Sequence, residues 1–482
     1  MRYISTRGNT EEYTASQAIE KGLCNDRGLF VPKIFPRISL KKIGEMKQSG
    51  YEEIALNILK RYLTDYSEEE LKECIGVYDE TFSHPEKTPV VKLKNGVYVL
   101  ELWHGPTLAF KDMALQIMPR LFTQAREKNN AKKDSLILVA TSGDTGKAAL
   151  EGFKDLKGVK VVVFYPADGV SDVQRLQMIT SEGKNVEVVG VNGNFDDCQT
   201  AVKNIFLDEE LNLSLDKFKL SSANSINLGR LLPQIIYYFK AYLQLLRDDE
   251  ITLGELVDFS VPSGNFGDIL AGYYAKKMGL PVGKLICASN KNNVLYEFFK
   301  TGVYNKQREF FKTMSPSMDI LVSSNLERLI YHILEDGKVL NKLYSEFEKT
   351  GILKLDAVSL KKIQEIIGAD YSTEEECLES IYNTFDKNNY MIDPHTSVAM
   401  KAALKNKSRK TVVLSTANIY KFSSNILKAF DIENDDEFEN IEVLEKLSKK
   451  DVPLSIRNLK SLKILHTRVI AKDNLKDVLR NL

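Results

Sequence analysis

The chain has no excess of charge of either sign, because 66 acidic residues face 66 basic ones. Such a chain has no long-range field with which to gather nucleic acid or an anionic membrane surface. Neither partner is expected, and an anionic ligand would have to be held by local devices. No apolar run approaches the roughly 20 residues that a membrane-crossing helix needs. The opening MRYISTRGNTEEY lacks the apolar core of a secretory signal. Cysteine is scarce and odd in number (Cys24, Cys74, Cys198, Cys287, Cys377), with no C-x-x-C pair. That pattern speaks against a disulfide framework or a zinc site and for reduced thiols in a cytoplasmic protein. The histidines are dispersed without H-E-x-x-H spacing, so no metal is expected. Internal repeats and low-complexity tracts are absent. A small-molecule substrate is the expected partner, with the chain acting as a monomer or a homodimer.

What is present is a long globular sequence. Its 482 residues, 43% of them hydrophobic, suggest about two to four domains. Residues 1–90 read as mostly helical. SLKKIGEMKQSGYEEIALNILKRYL and SEEELKECIGVYDETF place apolar residues three and four apart. Pro85 and Pro89 mark a boundary. Beyond it, β-rich runs such as VYVLEL, LILVA, VKVVVFY, VEVVGV, LVDFSVP, KLICAS and TVVLST alternate with helical stretches. The alternation predicts an α/β fold with parallel sheets covered by helices on both faces. The expected division is a helical region at 1–90, an α/β domain at 91–225 and a larger α/β domain at 226–482. The last would carry a helical insertion near 305–385 and a C-terminal helical appendage.

Open parallel sheets bind ligands beyond the carboxyl ends of their strands, and three strand-to-loop junctions are chemically loaded. LILVA-TSGDTG-KAALEGF runs from a strand through small hydroxyl residues and glycines into a helix, whose free N–H groups make an anion site. It is not a P-loop, since Thr141 occupies the first glycine position and Ala148 that of the magnesium-binding hydroxyl. The plain alternative is a helix capped by Asp144 or Thr145. LVDFSVP-SGNFGD-ILAGYYAKKMG repeats the order, and Gly264 and Gly267 would let the backbone approach a single phosphate. Here the plain alternative is a tight turn, with Asp268 a first-turn carboxylate. In TVVLSTANIYKF, Thr416 sits where a buried strand emerges. Finally, ELWHGPTLAFKDMALQIMPRLF puts Lys111 near a helix start, after Gly105-Pro106 and a Thr107 that could cap the helix. The helix N-terminus and desolvation both lower a lysine's pKa, as an imine-forming amine requires. The alternative is a surface lysine snorkelling beside Asp112.

HGPTLAFKD closely resembles the cofactor-lysine motif of the threonine synthase family. So do YISTRG, GLFVPKIFP, ATSGDTGKAA, FDDCQTAVK, SINLGRLLPQIIYYF, VPSGNFGDILAGYYAKKMGLP, SPSMDILVSSNLERL and DPHTSVAM. They stand in the family's order over most of the chain, and the long N-terminal region and insertion resemble the fungal and enterobacterial branch. The resemblance implies a fold type II pyridoxal-phosphate enzyme, with Lys111 as the catalytic lysine that carries pyridoxal 5'-phosphate. It implies Gly264, Asn265, Phe266, Gly267 and Asp268 around the cofactor phosphate and Thr416 at the pyridine nitrogen. Ser142, Gly143, Asp144 and Thr145 would receive the substrate's amino-acid end, and Asn227 and Arg230 its phosphate. The implied reaction is a lyase reaction of threonine biosynthesis, from O-phospho-L-homoserine and water to L-threonine and phosphate. The alternatives are a phospho-lyase or dehydratase giving 2-oxobutanoate, or a silent cofactor-binding protein. Two departures stand out: Asn418-Ile419-Tyr420 where the family often has His-Pro-Ala, and Leu228 where Trp is frequent. His104 and His395 lie in matching motifs and are expected to pack and hydrogen-bond.

Overall fold

The apolar β-branched runs of the sequence become two sheets. A computed structural model describes every residue except 142, 169, 407 and 481, and for residues 195, 196, 203 and 207 the backbone alone. One sheet has five strands in the order Val469–Ala471, Val186–Asn192, Val159–Pro166, Asp134–Ala140 and Phe218–Ser221, all parallel. The other has six, in the order Ile367–Tyr371, Val282–Ser289, Val257–Pro262, Thr411–Ser415, Val97–Glu101 and Val90–Lys92. Only the pairing of Val90–Lys92 with Val97–Glu101 is antiparallel in this sheet. Val97–Glu101, Val257–Pro262 and Thr411–Ser415 are buried along their whole length. Continuous burial is what a parallel sheet sandwiched between helices demands, and it explains why these strands read as apolar runs rather than alternations.

The N-terminal region begins with an antiparallel pair, Tyr3–Ser5 and Phe30–Pro32. Its helices are amphipathic as their spacing predicts. Tyr51–Tyr62 buries Tyr51, Ile54, Ala55, Ile58, Leu59 and Tyr62 on one face and packs against the helix Gln234–Arg247. Each fully buried Ile or Leu there contributes roughly 1.5–3 kcal/mol. The next helix, Glu68–Ile75, starts with a capping box in which Ser67 and Glu70 satisfy each other's backbone N–H.

The sheets do not follow the sequence in two consecutive blocks. Val97–Glu101 falls in the expected segment 91–225, yet it pairs with Thr411–Ser415 in the six-stranded sheet. Val469–Ala471, in the expected C-terminal helical appendage, is a strand that joins the five-stranded sheet beside Val186–Asn192. The stretch near 305–385 carries the helices Leu326–Leu334, Gly337–Thr350, Ala357–Ile366 and Glu374–Asn388, but also the edge strand Ile367–Tyr371. That strand is short, and its IGADY sequence follows directly on the helix before it, so helical periodicity carries over it. Among the described residues no helix is long and apolar enough to cross a membrane.

Candidate active site

Four chain segments leave the carboxyl ends of strands and meet. They follow Val97–Glu101, Asp134–Ala140, Val257–Pro262 and Thr411–Ser415, so both sheets contribute. They come together around Lys111: Asp144 and Ser317 hold its amine, Thr416 accepts from the N–H of the neighbouring Phe110, and Gly264 packs against the Ser317 carbonyl. Lys111 immediately precedes the short helix Asp112–Leu115 and is 9% exposed, which removes the snorkelling alternative. Its backbone is tied to the strand end that carries Thr416, because the Phe110 N–H donates to the Thr416 carbonyl at 2.8 Å. Thr107 does not cap this helix. Asp112 accepts instead from the Thr107 N–H at 2.8 Å and hydroxyl at 2.6 Å, and burial pushes the Asp112 carboxyl up to about 6.

The Lys111 Nζ lies 3.2 Å from Asp144 Oδ2 and 3.1 Å from Ser317 Oγ. Burial pulls the Lys111 amine below its ordinary range against the attraction of Asp144, while Lys421 and Arg230 push the same way as burial. Asp144 is also buried, which opposes its charge. Even so, the cations of Lys111 and Lys421 hold its carboxyl well below the usual carboxylate range. Lys421 was not among the sequence expectations. It is fully buried, with its Nζ 2.9 Å from Asp144 Oδ1, 2.8 Å from the Thr107 carbonyl and 3.1 Å from Gln177 Oε1. The turn Ile419–Lys421 that delivers it is capped by Asn418, whose Oδ1 accepts from the Tyr420 N–H at 3.1 Å. The departure at 418 thus supplies a turn-forming side chain.

The loop after Asp134–Ala140 is organised by Thr141, whose hydroxyl accepts from the N–H groups of Gly143 at 2.9 Å and Gly146 at 3.0 Å. Gly143 sits at φ +139, where a Cβ would come within 2.5 Å of Gln174. Asp144 makes no cap to its own helix, Asp144–Phe153; its Oδ1 accepts from Gln174 Nε2 at 3.0 Å and its carboxylate faces the lysines. The N–H groups of Asp144 and Thr145 meet no acceptor among the described residues. Ser142 lies outside the described residues.

The loop after Val257–Pro262 enters the helix Gly267–Met278 through Phe266, held at φ 63. The N–H groups of Asn265, Phe266, Gly267 and Asp268 find no acceptor among the described residues. Such a run of N–H donors at a helix N-terminus suits a phosphate group. Gly264 is required for another reason than ligand approach: a Cβ there would lie 2.7 Å from the Ser317 carbonyl. The Asp268 carboxylate turns away from the loop. It accepts from Tyr237 and Tyr238, its Oδ2 is buried without a partner, and burial pushes it up to about 7. Only its N–H remains available to the loop.

Thr416 is buried, and its hydroxyl bonds to no described residue. Ser317, also absent from the expectations, is braced from behind: its N–H donates to His395 Nε2 at 3.2 Å, and His395 Nδ1 lies 2.8 Å from Asp393 Oδ1. That arrangement puts the ring proton on Nδ1. His104 pairs with Glu101 at 2.7 Å. Asn227 is spent on structure, accepting from the Gly229 N–H and donating to the carbonyls of Ile19 and Ser222. We therefore do not retain it as a phosphate ligand. Arg230 is different. It is buried, donates to the Ala223 carbonyl at 2.7 Å and leaves Nε without a partner. No carboxylate pairs with it among the described residues, and burial brings its guanidinium down to about 10.

A buried amine of lowered pKa, a row of free N–H donors and an unpartnered hydroxyl at the same strand ends form a donor set that fits pyridoxal phosphate. The family described as "Pyridoxal-phosphate dependent enzyme" matches residues 81–416, and "Threonine synthase N terminus" matches residues 2–77. The threonine synthase of Schizosaccharomyces pombe is 39% identical over 477 residues, covering 92% of this chain and 91% of that protein. The chain belongs to the threonine synthase family. The human protein named threonine synthase-like 1 is 42% identical over 433 residues, 86% of this chain, and the chain spans 58% of that relative's length. In three dimensions the chain matches the PLP-bound threonine synthase from Brucella melitensis with a TM-score of 0.89 at 34% identity, covering 100% of this chain and 99% of that one. Membership in the threonine synthase family assigns the fold to the fold type II pyridoxal-phosphate enzymes and makes pyridoxal phosphate the cofactor.

Proposed function

We propose that the protein converts O-phospho-L-homoserine and water into L-threonine and phosphate. The reading rests on one observation above all: the buried Lys111 amine faces a carboxylate and a hydroxyl and lies within the electrostatic reach of an Arg230 that lacks a counter-charge. An anionic substrate that must both lose protons and lose phosphate suits such a site. In the overall reaction the Cγ–O bond to phosphate breaks, a Cβ–O bond to the water oxygen forms, Cβ gives up a proton and Cγ gains one.

Pyridoxal phosphate, when bound, supplies the electron sink next to the substrate's Cα. In our reading Lys111 would anchor it, and its amine would take the Cα proton as a general base. The N–H groups of Asn265 to Asp268 hold the cofactor phosphate, and the Thr416 hydroxyl serves the pyridine nitrogen. The N–H groups of Asp144 and Thr145 receive the substrate carboxylate. Arg230 receives the substrate phosphate, for which its planar fork is suited. A cytoplasmic setting is supported by the cysteines, all of which are free and buried.

The deciding experiment supplies O-phosphohomoserine to the holoenzyme and measures phosphate and amino-acid products together. Threonine and phosphate in equal amounts are expected. Phosphate with 2-oxobutanoate and ammonia would replace the reading by a phospho-lyase, and no phosphate release would overturn it.

A further inference from the structure

Lys421 is fully buried against Asp144, the carboxylate that also faces Lys111. Taking a second lysine out of water beside a first is costly unless its charge is paired and its donors are satisfied. The Lys421 Nζ meets three acceptors, Asp144 Oδ1 at 2.9 Å, the Thr107 carbonyl at 2.8 Å and Gln177 Oε1 at 3.1 Å. The Thr107 carbonyl and Gln177 Oε1 accept hydrogen bonds from it, and Asp144 Oδ1 is its ion-pair partner, so that buried carboxylate is matched from this side only while Lys421 carries its charge. Lys111 stands in the opposite situation. Its partners are Asp144 Oδ2 at 3.2 Å and the Ser317 hydroxyl at 3.1 Å, and a hydroxyl can donate as well as accept. The Lys111 environment therefore accommodates a neutral amine, and that of Lys421 does not.

The charges close in the same way. One carboxylate, Asp144, lies between two lysines, with Gln174 on its Oδ1 as a neutral donor. The nearby Asp112 has committed both oxygens to Thr107, and Arg230, whose charge disfavours a charged Lys111, pairs with no carboxylate among the described residues. Glu151 acts on Asp112 from the helix Asp144–Phe153. Behind Ser317 stand His395 and Asp393. The trio of Lys111, Asp144 and Lys421 is electrically balanced when Lys421 is charged and Lys111 is not. We propose that Lys421 is a positioning residue for the reactive amine: by neutralising Asp144 from the far side it frees Lys111 from serving as that carboxylate's counter-ion. Without Lys421, a neutral Lys111 would leave Asp144 buried with no cation, and Lys111 would hold its proton.

This rests on the reading of Lys111 as the cofactor lysine, and the test separates the two. The full-length protein, freed of cofactor, is mixed with pyridoxal phosphate at a series of pH values and quenched early with borohydride. Peptide mass spectrometry then reports how much cofactor is fixed and on which lysine. Lys421→Met is expected to move the pH midpoint for labelling Lys111 upward by at least one unit. Adding Asp144→Asn to Lys421→Met is expected to bring it back to or below the wild-type value. Lys421→Gln keeps donors for Thr107 and Gln177 without the charge. It is expected to shift the midpoint as the methionine variant does, so the test stands even if that variant fails to fold. Labelling at Lys111 with an unchanged midpoint in Lys421→Gln overturns the role of Lys421 while leaving the function reading intact. Labelling at another lysine in the wild type overturns both.

Discussion

The two glycine loops that converge on Lys111 are built alike, strand then turn then helix, but they treat their acidic residue in opposite ways. The loop at 141–146 folds two of its amides onto Thr141 and turns the Asp144 carboxylate inward to the lysines. The loop at 264–268 leaves a run of amides free and turns the Asp268 carboxylate back onto Tyr237 and Tyr238. The first loop presents a negative charge beside the two free amides of Asp144 and Thr145, and the second presents donors alone. Both read as anion sites at helix N-termini, yet which group each loop offers depends on where its Asp points, and that is set by partners far away in the chain.

The contrast can be broken most severely at the charged side. Lys111→Ala removes anchor and base together, and turnover is expected to fall by roughly 10²–10⁴-fold or more. Borohydride should no longer fix cofactor to the protein, and near-normal turnover without added amines would refute the assignment. Arg230→Leu tests whether the unpaired cation serves the substrate. KM for O-phosphohomoserine is expected to rise by the equivalent of about 1.5–3 kcal/mol, with the absorbance of the linked cofactor unchanged. An unaltered KM would make Arg230 structural.

The hidden carboxylate gives a pH test. The Asp268 carboxyl sits at about 7 in the folded protein, above its unfolded value of about 3.9. The folded state therefore holds the proton more tightly. The stability this contributes is full at low pH and is lost as pH rises toward 7. Asp268→Asn lacks that loss, so relative to wild type it should gain about 2 kcal/mol between pH 5 and pH 7 at about 1.36 kcal/mol per unit. Urea unfolding at the two pH values measures it, and parallel behaviour of the two proteins would mean that Asp268 is ionised throughout. The smallest expected effect is that of Gly267→Ala. Its new Cβ would meet only ordinary contacts, the nearest being Asn325 Nδ2 at 3.4 Å. Stability should change by less than about 1 kcal/mol, while cofactor retention in dialysis falls. Equal loss of both would make the loop a plain turn.

Much of this was legible in residues. The strands were visible because parallel sheets bury both faces and so write unbroken apolar runs. The burial of Lys111 agrees with the apolar neighbours around it, while its assignment as the cofactor lysine came from the resemblance of HGPTLAFKD. Lys421 was not visible. In NIYKFSS it looks like any turn lysine, and its meaning comes from Asp144, on the other sheet. Ser317 was hidden for the same reason, since only the fold brings it to Lys111. Thr107 could have capped the helix, but a hydroxyl donates as readily as it accepts, and the buried Asp112 accepts hydrogen bonds from both its hydroxyl and its N–H. Asn227 came in as a phosphate ligand only through the family resemblance, which carries no information on what its amide already holds. The carbonyls of Ile19 and Ser222 had already claimed that amide.

The place of Thr411–Ser415 in the middle of its sheet bears on how the chain is made. It lies between Val257–Pro262 and Val97–Glu101, strands synthesised long before it. At roughly 5–20 residues per second, a ribosome that has finished residue 262 needs on the order of ten seconds to reach residue 411. Through that interval two strand edges that end up in the centre of the molecule stay open to the wrong neighbour. Unpaired edges of this kind are where strand mispairing begins.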